Sequence, residues 1–230
     1  MFFDPLWFLF AVPGLLLMLW AQAKTKSAYA KYSQVPNMAG LEGWQVARRI
    51  LDANGLRDVR IEETPGELSD HYDPTTRTLR LSPGVGRVPS VAAMGIAAHE
   101  VGHAIQHARG YIPMKARGGL VPIVNIGSTI GQVALMAGLV LQIAGLAWVG
   151  VLLFSFATVF ALVTLPVEFD ASSRAMSSLR SVGIVSGGDY EGAKAVLDAA
   201  AWTYVAGFVT VLFQLLYFVM QAVGLSRRND

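Results

Sequence analysis

His99, Glu100 and His103 stand in the order His-Glu-Val-Gly-His, an HExxH pattern inside the proline-free run Ser90–Gly110. Ser90 suits a helix start, where its hydroxyl can accept from an unpaired backbone N–H, and Gly110 suits a helix end. On such a helix, residues four apart fall on one face, about 40° apart around the axis. Two neutral imidazoles at that spacing can hold one Zn2+. Glu100, beside the first of them, can take a proton from a water activated there without binding the metal itself. The chemistry these residues could do together is metal-assisted hydrolysis. The competing reading is an ordinary helix with two hydrogen-bonded histidines. Against it, three of the four histidines in the chain (His99, His103 and His107) share this one segment, and only His71 lies elsewhere.

A catalytic zinc needs three protein ligands and keeps one position open. The chain has no cysteine, so thiolate ligands and disulfides are excluded and the third ligand must be histidine or carboxylate. Three candidates compete. His107 lies eight residues from His99, about 12 Å along a helix, which suits a capping or supporting role better than a place in the same tetrahedron. His71 sits in an expected turn and could serve as ligand or as a donor to the oxyanion. Glu168 is the first charged residue after a long uncharged stretch. A charge at the end of an apolar span marks function, with a solvated interfacial charge as its plain alternative. Two membrane crossings between His99 and Glu168 would return the chain to one side, so the two residues can meet. One or three crossings would forbid it.

The elements that must position these residues follow from hydropathy. The 230 residues are 53% hydrophobic and 15% charged, where about a quarter charged is usual for a soluble protein. The net charge of +2 gives no basic patch of the kind nucleic acid requires. Phe2–Ala23 is almost wholly apolar, with Asp4 before it and Lys24 and Lys26 after it. This is the reverse of the charge order of a secretory signal, and the length suits a retained transmembrane helix. From Gly118 to Pro166 there are 49 residues without a charge, too many for one span and right for two, with the hairpin turn expected within Leu139–Gly145 around Gln142. Trp202–Leu225 supplies a fourth span, closed by Arg227 and Arg228.

Between the spans, Met38–Asn54 reads as an amphipathic helix with Leu41, Trp44, Val46, Ala47, Ile50 and Leu51 on its apolar face, ended by Gly55. Val59–Glu63 reads as a short strand. A turn at Asp73-Pro74 leads into an alternating strand, Thr76-Arg77-Thr78-Leu79-Arg80-Leu81, expected to be an edge strand that could pair with an extended substrate. Val167–Arg180 and Tyr190–Ala201 read as helices separated by a turn at Ser186–Gly188. The expected architecture is therefore mostly α: an integral membrane protein of about four transmembrane helices with a small α+β domain for zinc-assisted hydrolysis. Its segments are a first span (1–23), a catalytic region with the HExxH helix (24–117), a membrane hairpin (118–166), a helical segment carrying the third-ligand candidate Glu168 (167–201), and a last span with its tail (202–230).

His99-Glu-Val-Gly-His-Ala-Ile-Gln-His107, then a membrane hairpin, then Leu165-Pro-Val-Glu-Phe-Asp-Ala-Ser-Ser-Arg-Ala175, resembles the bacterial membrane-bound neutral zinc metallopeptidases. It is similar, more distantly, to the heat-shock membrane proteases and the CAAX-type prenyl-protein proteases. The likeness covers nearly the whole chain, including the first span and the Asp-Pro-Thr-Thr strand. It implies His99, His103 and Glu168 as Zn2+ ligands and Glu100 as catalytic base. In the distant relatives the glutamate lies in an ExxxD pattern whose aspartate orients a ligand histidine. Here Ser172 stands at that position, and Asp170, two residues earlier, is expected to take the role.

The reaction expected on this basis is hydrolysis of a peptide bond in a polypeptide or membrane-protein substrate, with Glu100 moving the proton from water to the leaving amine. Tyr72, His71 and Arg174 are candidate oxyanion donors. A membrane scaffold that binds zinc without chemistry is a second reading, disfavoured by the intact Glu100. A metal transporter is a third, disfavoured because the histidines lie outside the four spans. Lys24, Lys26, Lys31, Arg109, Lys115, Arg117, Arg174, Arg180 and Lys194 flank the spans on the side of the motif, against Arg227 and Arg228 on the other. The resemblance implies a bacterial inner-membrane protein, and that asymmetry predicts its catalytic side in the cytoplasm.

Overall fold

The computed structural model describes residues 5–229. It contains seven helices and three strands among the described residues: α1 (Pro5–Tyr32), α2 (Gly43–Ala53), β1 (Arg60–Glu63), β2 (His71–Asp73), β3 (Thr78–Leu81), α3 (Pro83–Gly86), α4 (Val91–Ala108), α5 (Ile112–Val140), α6 (Ala144–Ser181) and α7 (Gly187–Asn229). The chain is a mostly α membrane protein. Four helices (α1, α5, α6 and α7) are long and apolar enough to cross a bilayer. Of the expected first span, residues Phe2–Asp4 lie outside the described residues.

The chain divides into two compact units. The first comprises residues 1–21, 115–165 and 203–230. Its centre is the α5–α6 hairpin. Leu141–Ile143 joins the helices, with Gln142 at φ 58°, inside the turn expected from the sequence. Close approach of α5 and α6 is made by small residues, as membrane helices require. A Cβ on Gly131 would stand 2.8 Å from the Phe154 nitrogen, and one on Gly150 2.7 Å from the Leu135 Cα. Leu135, Leu139, Ala147 and Val151 are buried together with Ala222 and Leu225 of α7. Outward-facing Leu9, Leu16, Ile126, Val133 and Leu152 are exposed, which suits contact with lipid.

The second unit comprises residues 22–114 and 166–202. At its centre lies α4, capped by Ser90, whose hydroxyl accepts from the Ala93 N–H at 3.1 Å. It is followed by Gly110 at φ 65°, so both expected ends of the motif helix hold. Met94, Ala97, Ala98, Val101, Ala104 and Ile105 of α4 share one core with Val46, Ala47, Ile50 and Leu51 of α2, Ala175 and Leu179 of α6, and Ala193 and Leu197 of α7.

Several expectations are corrected. The amphipathic helix begins at Gly43 rather than Met38. Upstream, the Asn37 side chain donates to the Leu41 carbonyl and accepts from the Leu41 N–H, which holds a local turn in place of helix. Glu42 and Gln45 then form a capping box. Trp44, expected in the core, is exposed on the far face. His71 lies in strand β2 rather than in a turn; the turn is Pro74–Arg77, with Arg77 at φ 51°. The sheet order is β1-β3-β2, parallel between β1 and β3 and antiparallel between β2 and β3. The strand expected at Thr76–Leu81 is thus the central one, with both sides hydrogen-bonded, and it cannot accept a substrate strand. Thr78, Leu79 and Leu81 of this strand are all buried, and the free edges belong to β1 and β2.

The helices also run further than expected. Val167–Arg180 is no separate helix but the continuation of the third span through Pro166, whereas Tyr190–Ala201 runs into the last span within α7, as expected. In α6 the sequence changes from apolar to charged, and in α7 from charged to apolar. A change of polarity does not end a helix, and a proline inside a membrane helix is tolerated. For the same reason α1 continues past Ala23 to Tyr32.

Candidate metal centre

The site is built from two helices. On α4, His99, His103 and Gln106 follow at spacings of four and three, so they share a face. On α6, Glu168 and Ser172 are one turn apart and likewise share a face. The two faces meet because Gly102 leaves no side chain between α4 and the Ala171 backbone, with 3.1 Å from a notional Cβ to the Ala171 Cα.

His99 Nε2 lies 3.3 Å and His103 Nε2 3.5 Å from the same oxygen, Glu168 Oε2. One ligand atom from each residue falls within 4.8 Å of the others. The imidazoles stand at 86° with centroids 4.8 Å apart, so they converge on the carboxylate without stacking. The donor set of two imidazole nitrogens and one carboxylate oxygen suits zinc. The separations also fit, since bonds of about 2.0–2.1 Å give tetrahedral edges of roughly 3.3 Å. Glu168 is 3% exposed, a buried charge that needs partners, and the two histidines supply them.

Both Nδ1 atoms point away from the cluster and have partners. His99 Nδ1 lies 3.1 Å from the Ser172 hydroxyl, and His103 Nδ1 3.0 Å from Gln106 Oε1. Ser172, at the position where the distant relatives carry aspartate, therefore contacts one histidine directly. Asp170, expected to orient a histidine, instead accepts from Gln106 Nε2 at 2.8 Å and from Arg174. Gln106 also donates to the Val167 carbonyl at 2.7 Å. Sequence reasoning passed over Gln106, although its place seven residues after His99 on the same face was a usable signal.

Glu100 is buried beside the cluster. Burial pushes its carboxyl group up from the ordinary range, while the charges of His103 and His99 pull it down, and the net shift is upward. At His103, burial disfavours the imidazolium, but the Glu168 hydrogen bond and the Glu100 charge outweigh it and the net shift is again upward. The region is thus rich in negative charge and suited to a cation.

The remaining candidates lie apart. His107 Nδ1 is 2.9 Å from the Tyr72 hydroxyl, a pair separate from the cluster. Tyr72 is buried and engaged there. His71 is exposed on β2, its Nδ1 2.8 Å from the Ser69 carbonyl. Arg174 holds Asp170 and stacks over the Tyr111 ring at 5.6 Å.

Over residues 7–223 the chain matches the family model described as "Putative neutral zinc metallopeptidase". The chain belongs to this neutral zinc metallopeptidase family. A relative from Bacillus subtilis (strain 168), described as "Putative membrane protease YugP", is 45% identical over 219 residues, 95% of this chain and 96% of the relative. No solved structure matches the chain. The family resemblance drawn from the HExxH helix and the Glu168 segment thus holds across both membrane and sheet-bearing parts of the sequence.

Proposed function

We propose that the protein is a membrane-embedded zinc endopeptidase in which His99, His103 and Glu168 hold one Zn2+ and Glu100 is the catalytic base. The observation that carries this reading is the convergence of two imidazole Nε2 atoms on Glu168 Oε2 from helices far apart in sequence. Family membership and the membrane-protease description of the Bacillus subtilis relative support it. When bound, zinc acts as a Lewis acid on the scissile carbonyl and brings the pKa of water toward 7. Glu100 accepts a proton from the attacking water and returns it to the leaving amine. A carboxyl group raised by burial serves both transfers better than an ordinary glutamate. Glu168 offsets metal charge inside a buried site. Residues 24–117 and 167–201 form the catalytic region, the other segments the membrane part, and the substrate is a polypeptide or membrane protein.

The test is Glu100→Gln against His103→Ala in purified full-length protein. The expected result is that Glu100→Gln retains one zinc per chain and cannot cleave an unfolded test protein, while His103→Ala loses both zinc and cleavage. Wild-type cleavage rates in Glu100→Gln would overturn the assignment of the base, and full zinc in His103→Ala that of the metal site.

A further inference from the structure

Gln106 has no exposed surface, and its side chain has three polar neighbours of restricted chemistry. Its Nε2 donates to the Val167 carbonyl and to Asp170 Oδ2, at 2.7 and 2.8 Å. A carbonyl and an ionised carboxylate only accept, so the amide nitrogen must face them, and Oε1 must face His103. An amide oxygen only accepts as well. The atom 3.0 Å from it, His103 Nδ1, must therefore carry a proton, so that in the neutral imidazole, the form that binds a metal, the lone pair lies on Nε2, the nitrogen that faces Glu168 Oε2. Arg174 in turn fixes Asp170.

We infer that Gln106 is a positioning residue that locks His103 in the Nδ1–H tautomer, with Asp170 setting its polarity from across the helix pair. The inference rests on the zinc reading of His99, His103 and Glu168. It differs from the usual arrangement, in which a ligand histidine donates directly to a carboxylate. Here the carboxylate acts at one remove, and the amide between them relays donation in the same direction, from His103 to Gln106 and from Gln106 to Asp170. The same amide ties α4 to α6 beside Glu168, since Val167 is its chain neighbour. One side chain therefore fixes both the ring orientation of a ligand on α4 and its separation from a ligand on α6. Ser172 gives His99 no such restriction, because a hydroxyl both donates and accepts.

The test uses the full-length protein in detergent and measures the affinity for Co2+ by chelator competition, together with the visible absorption of bound cobalt. Wild type is expected to bind one Co2+ with a tetrahedral spectrum; wild type without cobalt would sink the zinc reading itself. Gln106→Leu keeps the bulk and removes the acceptor, and is expected to weaken Co2+ binding about 10–100-fold and to alter the spectrum. A Gln106→Leu variant with wild-type affinity and spectrum overturns the inference. Gln106→Glu places two carboxylates face to face and is expected to bind weakly as well. Gln106→Glu combined with Asp170→Asn restores a donor–acceptor pair and keeps the acceptor for His103, so its affinity should return to within a few-fold of wild type. Equal affinities for Gln106→Glu and the double variant overturn the inference even where Gln106→Leu fails to fold. A merely structural role would show in the melting temperature of the metal-free variants without this rescue of affinity.

Discussion

Gly102 of α4 faces Ala171 of α6 so closely that a methyl group at Gly102 would collide with the Ala171 carbonyl oxygen and stand 3.0 Å from the carbonyl carbon. The contact is backbone to backbone, so no rotamer can relieve it. In an open helix, replacing glycine by alanine gains up to about 1 kcal/mol. Here overpacking costs about 1–3 kcal/mol, and the clash should prevail. Gly102→Ala is expected to lower the melting temperature and to reduce zinc content, because the ligands sit on the two helices it would push apart. Gly118→Ala, where a Cβ meets nothing within 4 Å, is the matched control and should be neutral or slightly stabilising. A Gly102→Ala protein with unchanged melting temperature and full zinc would show that this approach does not set the site.

Tyr72 and His107 form a pair of their own, hydroxyl to Nδ1 at 2.9 Å. His107→Ala should therefore leave one zinc per chain in place, unlike His103→Ala. Tyr72→Phe should cost on the order of 1 kcal/mol, the net worth of one hydrogen bond or the penalty of an unsatisfied partner. Metal analysis and thermal unfolding of the two variants check this. Loss of zinc in His107→Ala would return His107 to the list of ligands.

The HExxH helix was legible to its caps because Ser90 and Gly110 bracket a run with no other stop signal, and local rules decide such ends. Glu168 was legible through topology: an uncharged stretch of hairpin length ends just before it. What could not be read was whatever depends on packing between distant segments. Nothing local distinguishes β3 as a central strand, since its neighbours β1 and β2 come from separate pieces of sequence and pair on opposite sides. Gln106 has the same difficulty, because its partners Val167 and Asp170 lie some sixty positions away. Trp44 was misplaced for a different reason. It fits the apolar stripe by type, but its ring lies on the exposed face with its N–H on Glu42, and periodicity cannot tell an amphipathic aromatic from a core one.

Nine Lys and Arg residues flank the spans on the side of the HExxH helix, against Arg227 and Arg228 on the other. Loops rich in Lys and Arg stay in the cytoplasm, so the proposed catalytic region is expected there and both chain ends outside. The Arg pair at the C-terminal end works against this orientation, since it would have to cross, but two charges oppose nine. The chain has no cysteine, so single cysteines report position without background. Ser69 lies between β1 and β2, and Ser226 lies near the end of α7. In intact cells, an impermeant thiol reagent should label Ser226→Cys and spare Ser69→Cys, and permeabilised cells should label both. Labelling of Ser69→Cys alone in intact cells would place the HExxH helix on the outer face. Its substrates would then be exported or membrane proteins rather than cytoplasmic chains.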